Sequence, residues 1–381
     1  MYKIIQATRD SYITNKIVGQ IRVTDANVGQ AGSIDIFKLY DENEITGETN
    51  PIELSRGLVY FDLSSIKALT ASSLDITSDS FKCYLKLSDI YGGQTTPSNF
   101  TLAVFPLSKS FDEGRGKDVI KFEDVDSCNF VTASMISTPV TWSLTGANKT
   151  GLLGSNDIDI ISSGNLHDDL GIVNLFATQA FSLGTEDLEV DITKIVSGTI
   201  AGLLPDCGFR ISFISSQETD TKTRFVKRFA SRNTTNTSKR PKLIVIYDDT
   251  IHDDHESMTY NTSGSIFLNN FDRGLPANIL SGAAANSIQG NNCMYLNIFT
   301  GSFNKFYNVS QLKFGDNFQT GFYTSSFAVS SFNSALSGAL GTSGSITFNE
   351  VWKSLDLSVA YFSGSITIKS PTRTAFVQTP H

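Results

Sequence analysis

The sequence predicts an all-β fold: a large jelly-roll sandwich followed by a second, smaller β-sandwich. Three observations carry that prediction. Short runs of β-branched and aromatic residues alternate at period two and close on Gly, Asn, Asp or Ser. Ser and Thr make up about a fifth of the 381 residues, alongside 29 Gly and 27 Phe. Long helical patterns are almost missing, so parallel α/β architectures are disfavoured against sandwiches and jelly rolls.

Each element follows from its local pattern. Phe209–Phe213, Lys242–Tyr247 and Ser345–Phe348 alternate apolar with polar residues and are expected as strands. Helices are expected only as short pieces, around Asp62–Leu69, Ile192–Leu203 and Ser330–Leu340. The tetrapeptide Ser-Gly-Ser-Ile stands at 263–266, 343–346 and 363–366. Its spacing is irregular, so it marks turns entering strands rather than a solenoid repeat.

Composition excludes several functional classes. The 40% hydrophobic content suffices for packed cores, and no run approaches eighteen consecutive apolar residues, so no membrane span is expected. Met1–Ala7 lacks the apolar stretch of a secretory signal. Cys83, Cys128, Cys207 and Cys293 lie far apart without a CxxC pair and fit neither a disulfide framework nor a zinc site. A pI near 5.1 argues against a general nucleic-acid binder.

Charge divides the chain. Residues 1–250 hold 24 basic and 31 acidic side chains, whereas 258–381 hold only 6 and 4. Between them, 251–257 continue an acidic stretch that begins at Asp248 and are expected to form a linker. Ten charges in 124 residues is about 8%, against about 25% for an ordinary soluble domain. Charge depletion with aromatic enrichment marks protein contact surfaces, so 258–381 is expected to be an assembly domain.

Along 1–250 a succession of motifs carries a resemblance. Arg9-Asp10-Ser11-Tyr12-Ile13 opens it, followed by Gly57-Leu58-Val59-Tyr60-Phe61-Asp62-Leu63-Ser64. Phe111-Asp112-Glu113-Gly114-Arg115-Gly116, Thr141-Trp142 and Val190-Asp191-Ile192-Thr193 come next, and Arg240-Pro241-Lys242-Leu243-Ile244-Val245 closes it. This order resembles the DNRLRE domain, a jelly roll akin to carbohydrate-binding modules. Phe111 stands where that family usually has Trp, and long insertions separate the steps at 40–56 and 128–191. Drawn-out versions with a Ser/Asn/Phe-rich second domain look like virion structural proteins of tailed bacteriophages. The resemblance implies a non-catalytic, disulfide-free virion component made in the host cytoplasm, with other virion proteins and its own copies as partners.

The sharpest local feature is the basic run Lys222, Arg224, Lys227, Arg228, Arg232, Lys239, Arg240 and Lys242, with no acidic residue between. Such a run can dock an acidic partner through bidentate Arg forks, or can be a solvated strand closing the jelly roll. Other candidates are weaker. His252-Asp253-Asp254-His255-Glu256 has metal-ligand residue types but no apolar anchors, so a solvated linker is favoured. Asp112–Gly116 with Asp118 could offer Ca²⁺ ligands but lacks the alternating spacing of a calcium loop, so a turn is favoured and no cofactor is expected. Host-glycan adhesion is the alternative function and would use exposed Trp or Tyr platforms, yet Trp142 and Trp352 are the only tryptophans. Catalysis is not expected: there is no GxSxG elbow, and His167 in Asn165–Asp169 has no neighbouring nucleophile signal. A polysaccharide-degrading enzyme ranks behind adhesion.

Overall fold

The computed structural model describes residues 2–71, 74–119, 127–135, 138–166, 171–248, 253–281, 286–314, 317–336 and 344–370. The chain is all-β and divides into two compact units: Met1–Thr70 with Leu74–Asp248, and a second that takes in everything from Asp249 onward. Among the described residues no helix is long and apolar enough to cross a membrane.

In the first unit the principal strands are β1 (Tyr2–Gln6), β2 (Arg9–Thr14), β3 (Ser33–Tyr40), β4 (Ile52–Tyr60), β5 (Lys82–Leu87) and β6 (Phe100–Pro106). They continue with β7 (Ala177–Phe181), β8 (Leu188–Asp191), β9 (Phe209–Phe213), β10 (Arg224–Ala230) and β11 (Lys242–Ile246). One sheet runs β1-β11-β5-β8 and the other β7-β6-β9-β4, continued by β3 and β10. β2 pairs with β4 along Ser55–Tyr60 and β3 along Ile52–Leu54. Taking β1, β4, β5, β6, β7, β8, β9 and β11 as eight successive strands, the two orders are 1-8-3-6 and 5-4-7-2. That interleaving is the jelly-roll topology.

Alternation explains the core. Leu243 and Val245 of β11 and Cys83, Leu85 and Leu87 of β5 point inward to meet Leu102, Val104, Ile211 and Phe213 of the other sheet. The larger sheet buries its second face as well. Ile13 and Leu58 on that face join Leu107, Phe111, Cys128, Phe130, Trp142 and Ile160 in a separate cluster supplied by the insertion after β6. β9 is consequently buried at every position, including Arg210 and Ser212. A strand covered on both faces must find partners for such groups, and Arg210 donates to Ala147 O at 2.9 Å and to Ser212 Oγ at 2.9 Å.

The expected helices form in part. Ser64–Lys67 (α1) and Thr193–Ile200 (α2) are helical, and α2 buries Ile195 and Val196 against the core. A third, Ser215–Glu218 (α3), had no long apolar period to announce it. Residues 330–336 form turns instead of the expected helix, and 337–340 lie outside the described residues.

The second unit is built from β12 (Ser263–Asn269), β13 (Met294–Thr300), β14 (Phe303–Phe314), β15 (Asn317–Ala328), β16 (Ser345–Lys353) and β17 (Ala360–Lys369). Their antiparallel order is β12-β15-β14-β13-β16-β17. The long β14 joins two halves: Phe303–Val309 pair with β13, and from Ser310 onward the strand pairs with β15. Inward residues of both halves form one cluster, with Ile266, Tyr323, Met294, Leu296, Phe348, Trp352 and Ile366 all buried. Of the Ser-Gly-Ser-Ile copies, the described part of the second enters a strand as expected, Gly344 at φ +66° preceding β16, whereas the first already lies within β12. The third, Ser363–Ile366, is also interior, to β17, where Gly364 sits opposite Glu350 in the ladder.

Candidate interaction surfaces

Of the eight basic residues of 222–242 expected to dock a partner, Arg224, Lys227, Arg228 and Arg232 are held by carboxylates of their own unit. Arg224 forks onto Asp220 at 2.9 and 2.7 Å, and Lys38 also reaches that carboxylate at 3.1 Å. These cations, Arg224 first, hold the Asp220 carboxyl well below its usual range. Arg228 forks onto Asp35 at 2.8 and 2.6 Å, and Arg232 onto Glu113. Lys227 is fully buried: its Nζ meets Asp89 at 2.5 Å and the carbonyls of Gly184 and Glu186 at 2.8 Å, near the rings of Phe181 and Phe229. Burial lowers the Lys227 pKa, and Asp89 opposes that shift.

Lys239 donates to Asp89 O at 3.2 Å and Lys242 to Ser238 O at 3.0 Å. Arg240 is half-buried, and Lys222 alone of the eight is exposed. The reason Arg228 and Arg232 are held is topological. Asp35 and Glu113 stand 193 and 119 residues from their arginines in sequence and are brought to them by strand pairing and the loop after β6. A run that looks unopposed along the chain is therefore opposed in space at four of its eight positions.

The same geometry disposes of the calcium-loop candidate. The Glu113 carboxylate is taken by Arg232 and by the Asp10 N–H at 2.9 Å, and Asp112 Oδ2 accepts from Met135 N–H at 2.9 Å. Gly114, at φ +80°, lies so close to Asn27 that a Cβ would sit 2.3 Å from its amide oxygen. Among the described residues no group of three His, Cys, Asp or Glu could hold a metal.

The acidic stretch expected as a solvated linker is fastened down where it is described. Asp254 N–H donates to Ser265 O at 2.9 Å, and its carboxylate accepts from Ser265 N–H at 2.8 Å, which ties the turn to β12. His255 Nε2 lies 2.7 Å from Glu350, a buried carboxylate of β16 that also accepts from Trp352 Nε1 at 2.5 Å. A buried carboxylate needs partners, and the turn supplies one. His252 and the His167 loop from 167 to 169 lie outside the described residues.

Both tryptophans are buried, Trp142 donating to Asn129 O at 3.0 Å, so neither provides an exposed platform for a sugar. The cysteine thiols are raised by burial, Cys128 to about 12, which leaves them un-ionised and poorly nucleophilic at neutral pH.

Exposed apolar groups are spread over both units, and two sets of them share a strand face or a connection. On the first unit, register sets Tyr2 opposite Ile246 and Ile4 opposite Ile244 on the outward face of β1 and β11, with Tyr84 of β5 beside Ile244. Tyr2, at 68% exposed, Ile4 and Ile246 form an open apolar strip. On the second unit Leu355, Leu357, Val359 and Phe362 are exposed around the β16–β17 connection. The outward face of its sheet carries neutral side chains between two end lysines, Lys353 and Lys369: Thr347, Asn349 and Val351 of β16, Ser363, Ser365 and Thr367 of β17, and Asn304, Phe306 and Asn308 of β14. Cross-strand hydroxyl pairs hold it, Ser265 with Ser326 at 2.6 Å and Thr347 with Thr367 at 2.9 Å. The low charge of 258–381 was legible in composition; the apolar strip on β1 and β11 was missed, although the alternating Tyr2-Lys3-Ile4-Ile5 start could have signalled a strand with apolar residues on both faces. No family model and no curated protein matches the chain.

Proposed function

We propose that the chain is a non-catalytic structural subunit of a tailed-bacteriophage virion, and that its second unit mediates assembly with other virion proteins and with its own copies. The observation that carries assembly is the largely neutral outer face of the second unit, with Leu355, Leu357 and Val359 exposed at the β16–β17 connection. A monomer kept apart by charge repulsion would bear Lys and Glu across it; between Lys353 and Lys369 at its ends this face bears Ser, Thr, Asn and Phe. The virion assignment rests on the resemblance of 1–250 to the DNRLRE domain.

The first unit suits a load-bearing role. Its larger sheet is packed on both faces, and its cations are held by its own carboxylates. Antibody raised against the purified chain should label phage particles at a constant position in negative-stain electron microscopy. Particles that stay unlabelled while the chain accumulates in the infected cell would contradict the proposal.

A further inference from the structure

The two edges of the second unit's sheet are treated differently. At β12 the edge is plugged: both outward backbone groups of Ser265 are taken by Asp254, through its N–H and its carboxylate. At the other end, β17 is covered only at its last residue. Lys369 N–H donates to Met258 O at 3.0 Å, and Lys369 O accepts from Tyr260 N–H at 3.0 Å. Both groups of Lys369 thus point away from β16. In an antiparallel ladder outward groups recur at every second residue, so Ser363, Ser365 and Thr367 also point N–H and C=O away from β16. None of these groups has a partner among the described residues.

Among the described residues nothing guards this edge. Between Ala360 and Ile368 there is no charge and no proline, and the one register irregularity lies at the Ala360 end. Natural edge strands usually carry such protection, because a flat open edge recruits another strand. We propose that the β17 edge pairs antiparallel with the β17 edge of a second copy of this chain about a two-fold axis through Gly364. This rests on the assembly reading above and names its partner.

The register follows from the free groups. With Gly364 on the axis, Ser363 of each copy meets Ser365 of the other in a hydrogen-bonded pair. Pairing stops at Lys369, whose outward groups are already engaged. On the inner face, Phe362, 45% exposed although it points toward the core side, comes to lie beside Ile366 of the second copy. No like charges oppose one another anywhere along the contact.

Charge substitutions on the full-length chain test the register, with association read by light scattering at two concentrations. Ser363→Lys with Ser365→Lys sets lysine opposite lysine on both sides of the axis and should weaken association roughly tenfold or more. Ser363→Lys with Ser365→Asp sets lysine opposite aspartate in the same register and should restore it. Matching circular dichroism spectra and melting curves would show that both variants fold. If the double-lysine variant associates like the wild type, the β17 edge is not the contact, while the assembly reading stands. A wild-type chain that stays monomeric overturns both. Slow amide exchange at Ser363 and Ser365 in a monomeric wild type would mean that another segment of the chain covers the edge, and would overturn the pairing.

Discussion

The first unit hides its charges, and the second has few to hide. In the first, Arg56 lies buried with Glu218 at 2.9 and 2.7 Å and donates to Gly146 O at 2.6 Å, while Lys227 sits beside Asp89 between aromatic rings. In the second, the buried carboxylate Glu350 is held by His255 and Trp352, and the outer face is neutral between Lys353 and Lys369. The contrast shows two uses of polar chemistry. Buried pairs specify how insertions close over the jelly roll, whereas a neutral sheet face leaves a surface free to meet another of its kind.

The largest effect expected of that contrast comes from removing one member of a buried pair. Glu218→Ala leaves Arg56 charged and unpaired and should cost about 3–5 kcal/mol, measured by urea unfolding. Asn349→Ala, on the outer face of the second unit, should stay within about 0.5 kcal/mol. Equal costs at the two sites would erase the distinction.

A pH test sharpens it further. Burial raises the Asp10 carboxyl from its ordinary 3.8 to about 7, with Glu113 adding to the shift and the Arg232 N–H opposing it. The folded chain therefore retains a proton that the unfolded chain has released between about pH 4 and 7. Stability from this group rises as pH falls from 7 toward 4, and it is lost above 7. Asp220, held low by Arg224, acts with the opposite sign, contributing above the ordinary carboxylate range and losing its contribution only in acid. Urea midpoints at pH 8, 7, 6 and 5 should climb in the wild type and lose that component in Asp10→Asn. Parallel profiles would contradict the assignment.

Smaller effects are expected in the second unit. Asp254→Ala opens the β12 edge and removes an acceptor from Ser265 N–H, at about 1–2 kcal/mol, with faster amide exchange at Ser265. Thr347→Ala breaks the hydroxyl pair with Thr367, at about 0.2–1 kcal/mol.

What the sequence made legible was local. Phe209–Phe213 and Lys242–Ile246 announce themselves by alternation, as does β16 from Ser345, and the drop in charge after residue 257 is plain in composition. Long-range pairing was not legible. The basic run looked free because Asp35, Asp89 and Glu113 reach it only through folding. Asp254 and His255 looked solvated because the backbone of Ser265 and the carboxylate of Glu350 lie 11 and 95 residues away. The β17 edge was invisible for the same reason: a strand's pattern shows which residues point inward, not which neighbour is missing.

The claim on which the rest depends is that this chain associates with itself. Light scattering of the full-length protein at two concentrations tests it most directly. The account predicts a mass at a whole multiple of 41.5 kDa that persists or grows with concentration. A constant 41.5 kDa at both concentrations would contradict it.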